Sequence, residues 1–296
     1  MRSIALYTSC TLSCILFLMV TAGCQKEIKG TALINPFRQN PTTKVLPRLI
    51  REASGIADSK LNPGNLWVEE DSGNPPFLYL LSHQAEYVKG IYLKGATNRD
   101  WEDICLANGP VAGKNYLYVG EIGDNNAVHA SSSFYRLEEP SSSLDTVYEY
   151  DQLRYQYVDG PRDAEAFLVD PASKDIFIIS KRDSLSRIYS LPYPQSTSTM
   201  ATANFIQELP YNSVVSAAIS RDGKEILVKT YLAVYYYQRK NGETIPETLK
   251  HPAIKVDYQV EPQGEAISFA LDGKGFYTLS EAGFTNAQTL YFYPRK

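Results

Sequence analysis

Four glutamates recur at the head of one repeated pattern: Glu52-Ala-Ser-Gly-Ile-Ala, Glu102-Asp-Ile-Cys-Leu-Ala, Glu165-Ala-Phe-Leu-Val-Asp and Glu265-Ala-Ile-Ser-Phe-Ala. A degenerate fifth copy reads Ser216-Ala-Ala-Ile-Ser. If the runs behind them gather round one axis, the carboxylates converge, and like charges in a narrow space must be compensated. One compensation is a hard cation such as Ca²⁺, which takes oxygen ligands in a flexible shell. No Cys/His cluster suits zinc. A second is structural: Arg51, Arg99 and Arg162 lie just upstream of three of the glutamates, and backbone N–H groups of neighbouring strands are further donors. A third is protonated or water-bridged carboxyls. Polar residues also recur after the second run of each copy: Glu69-Glu70-Asp71, Glu121 with Asp124, Lys181-Arg182, Lys229 and Glu281. Acids of the first two copies would face bases of the third and fourth. Such a mouth suits a metal-bound phosphate or another anion, and ordinary solvated loop charges would read the same way. His83, His129 and His251 show no catalytic spacing. Gly-x-Ser-x-Gly, His-Glu-x-x-His and a phosphate-cradling glycine loop are absent.

The elements that must position these residues are short strands. The copies start at 52, 102, 165, about 215 and 265, a period of about 50 residues. Each continues through a turn such as Asn62-Pro63-Gly64-Asn65, Asp222-Gly223-Lys224 or Asp272-Gly273-Lys274. A second apolar strand follows (Leu66–Val68, Tyr116–Val119, Ile176–Ile179, Ile226–Val228, Phe276–Leu279), then a third (Phe77–Leu80, Phe134–Leu137, Ile188–Leu191, Val234–Tyr237, Leu290–Tyr293). A more polar fourth, such as Leu153–Tyr157, closes most copies. Four strands in a unit of about 50 residues is the pattern of a propeller blade. The expectation is an all-β, five-bladed β-propeller with four-stranded blades. The last copy lacks its fourth strand, and Lys44 to Ile50 can supply it, closing the ring through the N-terminal strand. The long stretch from Gly123 to Gly160 is taken as the last two strands of the second blade. Trp101 is expected to pack between blades.

The N-terminus predicts the compartment. Arg2, an apolar run through Val20, and Thr21-Ala22-Gly23-Cys24 have the order of a secretory leader. Cys10 and Cys14 leave with it. Cys105 is then the one thiol besides Cys24, so no internal disulfide forms; it reads as a small core residue. The full-chain charge is −4, and removal of Arg2 leaves a mild, mixed surface that excludes a nucleic-acid binder. Tyr, at 22 of 296 residues, accords with a strand-dominated chain. The domain reading is 1–23 leader, 24–43 polar tether and 44–296 propeller.

Three resemblances follow. Thr21-Ala22-Gly23-Cys24 resembles the bacterial lipobox, with Thr21 where Leu, Val or Ile is usual. It implies lipidation of Cys24 with palmitate-type acyl chains, hence a membrane anchor. Gln25 after the cysteine implies the outer membrane. Asp100-Trp101-Glu102-Asp103-Ile104 and Tyr118-Val119-Gly120-Glu121-Ile122-Gly123-Asp124-Asn125 resemble a family of uncharacterised secreted bacterial propellers, which implies no activity. More distantly, the blade order Glu-x-Ser, Glu, Glu, Ser, Glu is similar to the calcium-activated apyrase family, five-bladed propellers that hydrolyse nucleoside di- and triphosphates. That resemblance implies Ser54, Glu102, Glu165, Ser216 and Glu265 round an axial Ca²⁺, with Glu70, Asp71, Lys181, Arg182 and Lys229 at the nucleotide. The third-blade surroundings, Asp163 to Phe167, depart from the family pattern. On this scheme Ca²⁺ polarises phosphoryl oxygens and activates water, the three bases neutralise developing charge, and Glu70 or Asp71 is the general base. The rival from another class is a non-catalytic module that binds a glycan or protein, with the glutamate ring purely structural. A sugar- or lactone-acting enzyme is a third, for which the sequence offers no distinct acid pair.

Overall fold

The computed structural model describes residues 34–281 and 288–296. The leader, Cys24 and the first half of the tether lie outside the described residues. Inside them the chain is all-β apart from one turn of helix.

Strand β1 (Thr42–Val45) comes first. The first unit follows as β2 (Ala53–Asp58), β3 (Asn65–Glu70), β4 (Phe77–Ser82) and β5 (Tyr87–Leu93). The second is β6 (Trp101–Asn108), β7 (Asn115–Glu121), β8 (Ser132–Glu138), the short β9 (Thr146–Val147) and β10 (Asp151–Tyr157). The third is β11 (Ala164–Val169), β12 (Ile176–Ser180), β13 (Arg187–Leu191) and β14 (Ala201–Glu208). The fourth is β15 (Val214–Ile219), β16 (Glu225–Thr230), β17 (Ala233–Gln238), helix α1 (Ile245–Thr248) and β18 (Ile254–Lys255). The chain finishes on β19 (Gly264–Phe269), β20 (Gly275–Ser280) and β21 (Thr289–Pro294).

Each unit is an antiparallel sheet that starts from its first strand. Parallel pairing of β10 with β14 fuses the second and third units at their outer edges into one eight-stranded sheet. The stretch from Gly123 to Gly160 does supply β8 and β10, but β9 between them pairs parallel with β5, so it extends the first sheet. The first strands pack in closed succession: β2 on β6, β6 on β11, β11 on β15, β15 on β19, and β19 back on β2. This is the arrangement of a β-propeller, with the first strands round a channel.

The sequence explains the gradient from axis to rim. Strands β2 and β11 are buried at every residue and read as apolar or small runs interrupted only by Asp58 and Glu165. Outer strand β10 alternates instead, burying Leu153, Tyr155 and Tyr157 and exposing Gln152, Arg154 and Gln156. Apolar clusters fill the wedges between successive sheets. Trp67, Leu80, Trp101 and Leu117 join the first unit to the second, with Trp101 in the expected role. Phe134, Tyr155, Phe167 and Tyr189 join the second to the third. Each such side chain contributes about 1.5–3 kcal/mol by leaving water.

Closure differs in register from the expectation of Lys44–Ile50. Strand β1 pairs with β21 from Thr42↔Phe292 to Val45↔Thr289. The folded body also begins earlier than residue 44. Phe37 bridges to Arg295, is 0 % exposed, and packs edge-on against Phe276 and Tyr236 at 4.7 and 5.7 Å. An aromatic ring was needed in the last wedge, and residues 37–43 therefore belong to the domain and not to the tether.

Candidate functional site

Every first strand carries a β-bulge near its start. The register skips between Ala53 and Gly55, Trp101 and Asp103, Ala164 and Ala166, Val214 and Ser216, and Gly264 and Ala266. The extra residues are Ser54, Glu102, Glu165, Val215 and Glu265. A bulge breaks the pleat and re-aims a side chain, and five in register re-aim five side chains at one level of the channel. The equivalent position in β2 is thus Ser54, not Glu52, which is exposed and accepts from Asn74 Nδ2 at 2.7 Å. In β15 it is Val215, one residue before Ser216. Matching the repeat by letter misplaces both, because the bulge inserts a residue that the letters do not mark.

The two serines serve as struts. Ser54 Oγ donates to the Glu102 carbonyl at 2.8 Å. Ser216 Oγ donates to Asp103 Oδ2 at 3.2 Å and accepts from Ile267 N–H at 3.2 Å. Asp103, 1 % exposed, reaches from β6 to β15, strands that are not neighbours in the ring. It also accepts the Ile104 N–H at 2.9 Å and lies 3.5 Å from Ala217 N. It therefore crosses the channel as a buried acceptor fed by strand-edge donors. Burial pushes its carboxyl well above the usual range, although these hydrogen bonds pull the other way.

Compensation of the glutamates comes from Lys181. Its ammonium bonds Glu165, lies 3.7 Å from Glu265 Oε1 and donates to Tyr231 Oη at 2.9 Å; Tyr231 donates in turn to Glu265. Burial works against the Lys181 charge, but the two glutamates outweigh it and hold the pKa above the ordinary lysine value. Among the described residues, Arg51, Arg99 and Arg162 make no ion pair with a ring glutamate. Arg99 donates to the Ser131 and Gly123 carbonyls, and Arg162 to Asp159 and Tyr189.

A second acidic group is compensated only in part, by Lys181 at Glu165 and Arg182 at Asp163. Asp71, Asp100 and Glu102 bring one oxygen each within 4.8 Å of one another, as do Glu102, Asp163 and Glu165. Glu102 belongs to both sets. Gly123 cradles it, since a Cβ there would collide with Glu102 Oε1 and the Asp100 carboxyl. Burial, then repulsion from Glu165, Asp71 and Asp100, pushes Glu102 well up. Burial also raises Glu165, opposed by Lys181, and leaves its Oε2 without a partner. Asp71 is pushed up to about 6, mainly by burial. Burial and Glu265 lift Glu281 to about 9. Glu69 is 0 % exposed with neither carboxyl oxygen partnered, and burial beside Asp103 favours its neutral form.

The remaining expected residues separate. Arg182 Nε meets Asp163 Oδ2 at 2.6 Å and keeps half its side chain exposed, so it rims the acidic group. Glu70 is withdrawn, its Oε1 accepting from Arg51 N–H at 2.6 Å and Glu52 N–H at 3.3 Å. Lys229 is 0 % exposed, bonded to the Gly264 carbonyl, 3.6 Å from Glu261 Oε2 and over the Tyr258 ring. It stands away from any mouth because the small Gly264 lets its ammonium turn into the wall. Asp100, Asp163, Asp103 and Tyr231 were not singled out from sequence as site residues, and Glu69 only as one of the acids of the mouth. A signal existed for two of them: an Asp stands two residues before the glutamate in both Asp100-Trp101-Glu102 and Asp163-Ala164-Glu165.

These raised carboxyls fix a pH dependence. Folded groups that hold protons more tightly than the unfolded chain contribute stability that is complete below the ordinary carboxylate range and is lost as pH rises through the folded values. Between Asp71 at about 6 and Glu281 at about 9, thermal stability in EDTA should fall steadily with rising pH. A melting temperature flat or rising over that window would contradict the charge state described here.

No family model matches the chain, and no curated protein matches it. The apyrase likeness therefore rests on its short motifs. The fold is similar to a chain of the hydrazine synthase of Kuenenia stuttgartiensis, with 12% identity over 82% of this chain and 71% of that one and a TM-score of 0.42. It is similar to the Dos1 propeller, with 12% identity over 82% and 68% and a TM-score of 0.38. It is also similar to a chain of a nidogen/laminin complex, with 10% identity over 78% and 72% and a TM-score of 0.44. Likeness at this level concerns the fold.

Proposed function

We propose that this is a five-bladed propeller of four-stranded blades, held on the outer membrane through lipid on Cys24, that binds a divalent cation of the calcium type at its channel mouth and an oxyanion beside it. The carrying observation is Glu102, buried, cradled by Gly123 and shared between two carboxylate triads, next to the unpartnered Glu165 Oε2. An all-oxygen donor set fits a hard cation. Glu102, Asp100, Asp163 and Glu165 would hold it, with Asp71 beside them outside the donor set, a set displaced from the Ser54 and Ser216 positions that the apyrase likeness implies. A bound calcium would supply Lewis-acid polarisation of a phosphoryl oxygen. Arg182, half-exposed beside Asp163, is placed for an oxyanion. Asp71, titrating near neutrality, has the pKa of a general base. Phosphoanhydride hydrolysis is the reaction these groups suit.

A second reading is favoured by Lys181. Its ammonium already joins Glu165 to Glu265, as in a self-sufficient structural ring, and the protein would then be a binding module for a glycan or protein. One comparison separates the two. At a hundredfold excess over Kd, calcium should stabilise the folded chain by about 2.7 kcal/mol, a rise of roughly 5–10 °C for a domain of this size. Glu102→Gln should abolish most of that rise. Phosphate release from pyrophosphate or a nucleoside diphosphate should then appear with calcium and vanish on chelation. No calcium-specific shift in a folded protein would remove the cation site and leave the binding module.

A further inference from the structure

Below the bulges the channel changes character. Asp103 crosses it, and beyond Asp103 the first strands enclose a cavity of about 710 Å³. Polar and charged residues gather at its rim, while every first strand lends it apolar side chains, Ile56, Ile104, Leu106, Phe167, Ala217 and Ile267. These follow the bulge residues in each strand, so the cavity occupies the opposite half of the channel from the carboxylates. Cys105 joins the wall, and burial pushes its thiol up, which makes it lining and not nucleophile. Each first strand is paired on one side only, so unpaired backbone N–H and C=O groups interrupt the apolar surface. A concave, mostly apolar space of this size with a few polar groups is the ordinary form of a small-molecule site.

The rim indicates the ligand's charge. Each acid there has its own side-chain partner: Asp58 has His83 Nε2 at 2.8 Å, Asp222 has Lys224 at 3.4 Å, Asp272 has Lys274 at 2.9 Å and Glu225 has Arg295 at 2.7 Å. Arg221 at the same rim reaches Asn115 Oδ1 at 3.4 Å and pairs with no carboxylate among the described residues. One guanidinium is thus left over above an apolar well. We infer that this half of the channel is a second binding site, which takes a small amphipathic organic anion with its apolar body in the well and its anionic group at Arg221. The site is independent of the cation at the other mouth, because Asp103 separates them.

The test is fluorescence titration of the full chain with 1-anilinonaphthalene-8-sulfonate, an aromatic anion, and with the neutral N-phenyl-1-naphthylamine, in EDTA and again in calcium. Leu106→Trp fills the well, and Arg221→Gln removes the charge from an exposed side chain without touching the core. Saturable one-to-one binding of both probes is expected. Leu106→Trp should weaken both by tenfold or more, and Arg221→Gln should weaken the anion by about tenfold, the scale of one charge-assisted bond, while sparing the neutral probe. If circular dichroism shows that Leu106→Trp does not fold, the Arg221→Gln contrast decides alone. Absence of saturable binding, or equal loss of both probes in Arg221→Gln, overturns the site. Calcium should leave these affinities unchanged, so failure here is distinguishable from failure of the cation reading.

Discussion

Asp103→Ala should lower the unfolding free energy by at least about 3 kcal/mol, because it strands donors that have no water to turn to. Ile104 N–H, Ala217 N–H and Ser216 Oγ all converge on this carboxylate from strands on both sides of the channel. Truncation leaves them facing a dry gap, and each unsatisfied group costs about 1–3 kcal/mol. Asp103→Asn keeps one acceptor oxygen and should recover part of the loss. Urea unfolding with an unchanged slope is the measurement. Stability within 0.5 kcal/mol of the parent for Asp103→Ala would mean, on the scale of an ordinary surface change, that the cross-channel contact is incidental.

Lys181→Met should be comparably damaging, at about 3–5 kcal/mol, the usual cost of removing one partner from a buried ionic cluster. The substitution keeps the stem and removes the charge that Glu165 and Glu265 share. Its signature is in pH. Without the ammonium Glu165 holds its proton to higher pH, so the deficit should be small near pH 5 and grow towards pH 9. Under the cation reading the variant should also gain more from calcium than the parent does, since Glu165 is released from the ammonium and Glu265 becomes free to ligate. A deficit that is small and independent of pH would show that Glu165 and Glu265 do not depend on Lys181.

The strand plan was legible because it rests on local patterning. Turn signals such as Asp222-Gly223-Lys224 and the alternation in Leu153–Tyr157 mark elements that the structure confirms. The site was legible only in outline. Glu102, Glu165 and Glu265 do share one level, but the bulges that set that level leave no mark in composition, so Glu52 and Ser216 were placed out of register. Lys181 was read as a group facing substrate, yet its nearest charges are the glutamates; neighbours across a channel lie in different repeats, and a single sequence does not state which repeats face each other. Lys229 illustrates the same gap. Its withdrawal depends on Gly264, 35 residues away. Phe37 was missed because an isolated aromatic in a polar, proline-containing stretch has no periodicity to announce burial.

The pairing of β1 with β21 has a consequence for how the molecule is made. Thr42 must find Phe292, a partner roughly 250 residues later, and contacts of such long range are the slowest to form. As the chain emerges from its N-terminal end, β1 is the first strand available and among the last to be satisfied. Until then the sheet of β19, β20 and β21 has a bare edge of the kind that templates aggregation. The waiting strand is short, exposed at all four residues, flanked by Pro41 and Pro47 and marked by Lys44, features that discourage a wrong partner during the delay. A mechanical consequence follows as well. Load applied through residues ahead of β1 falls first on this seam, so under tension the ring is held shut by its N-terminal strand.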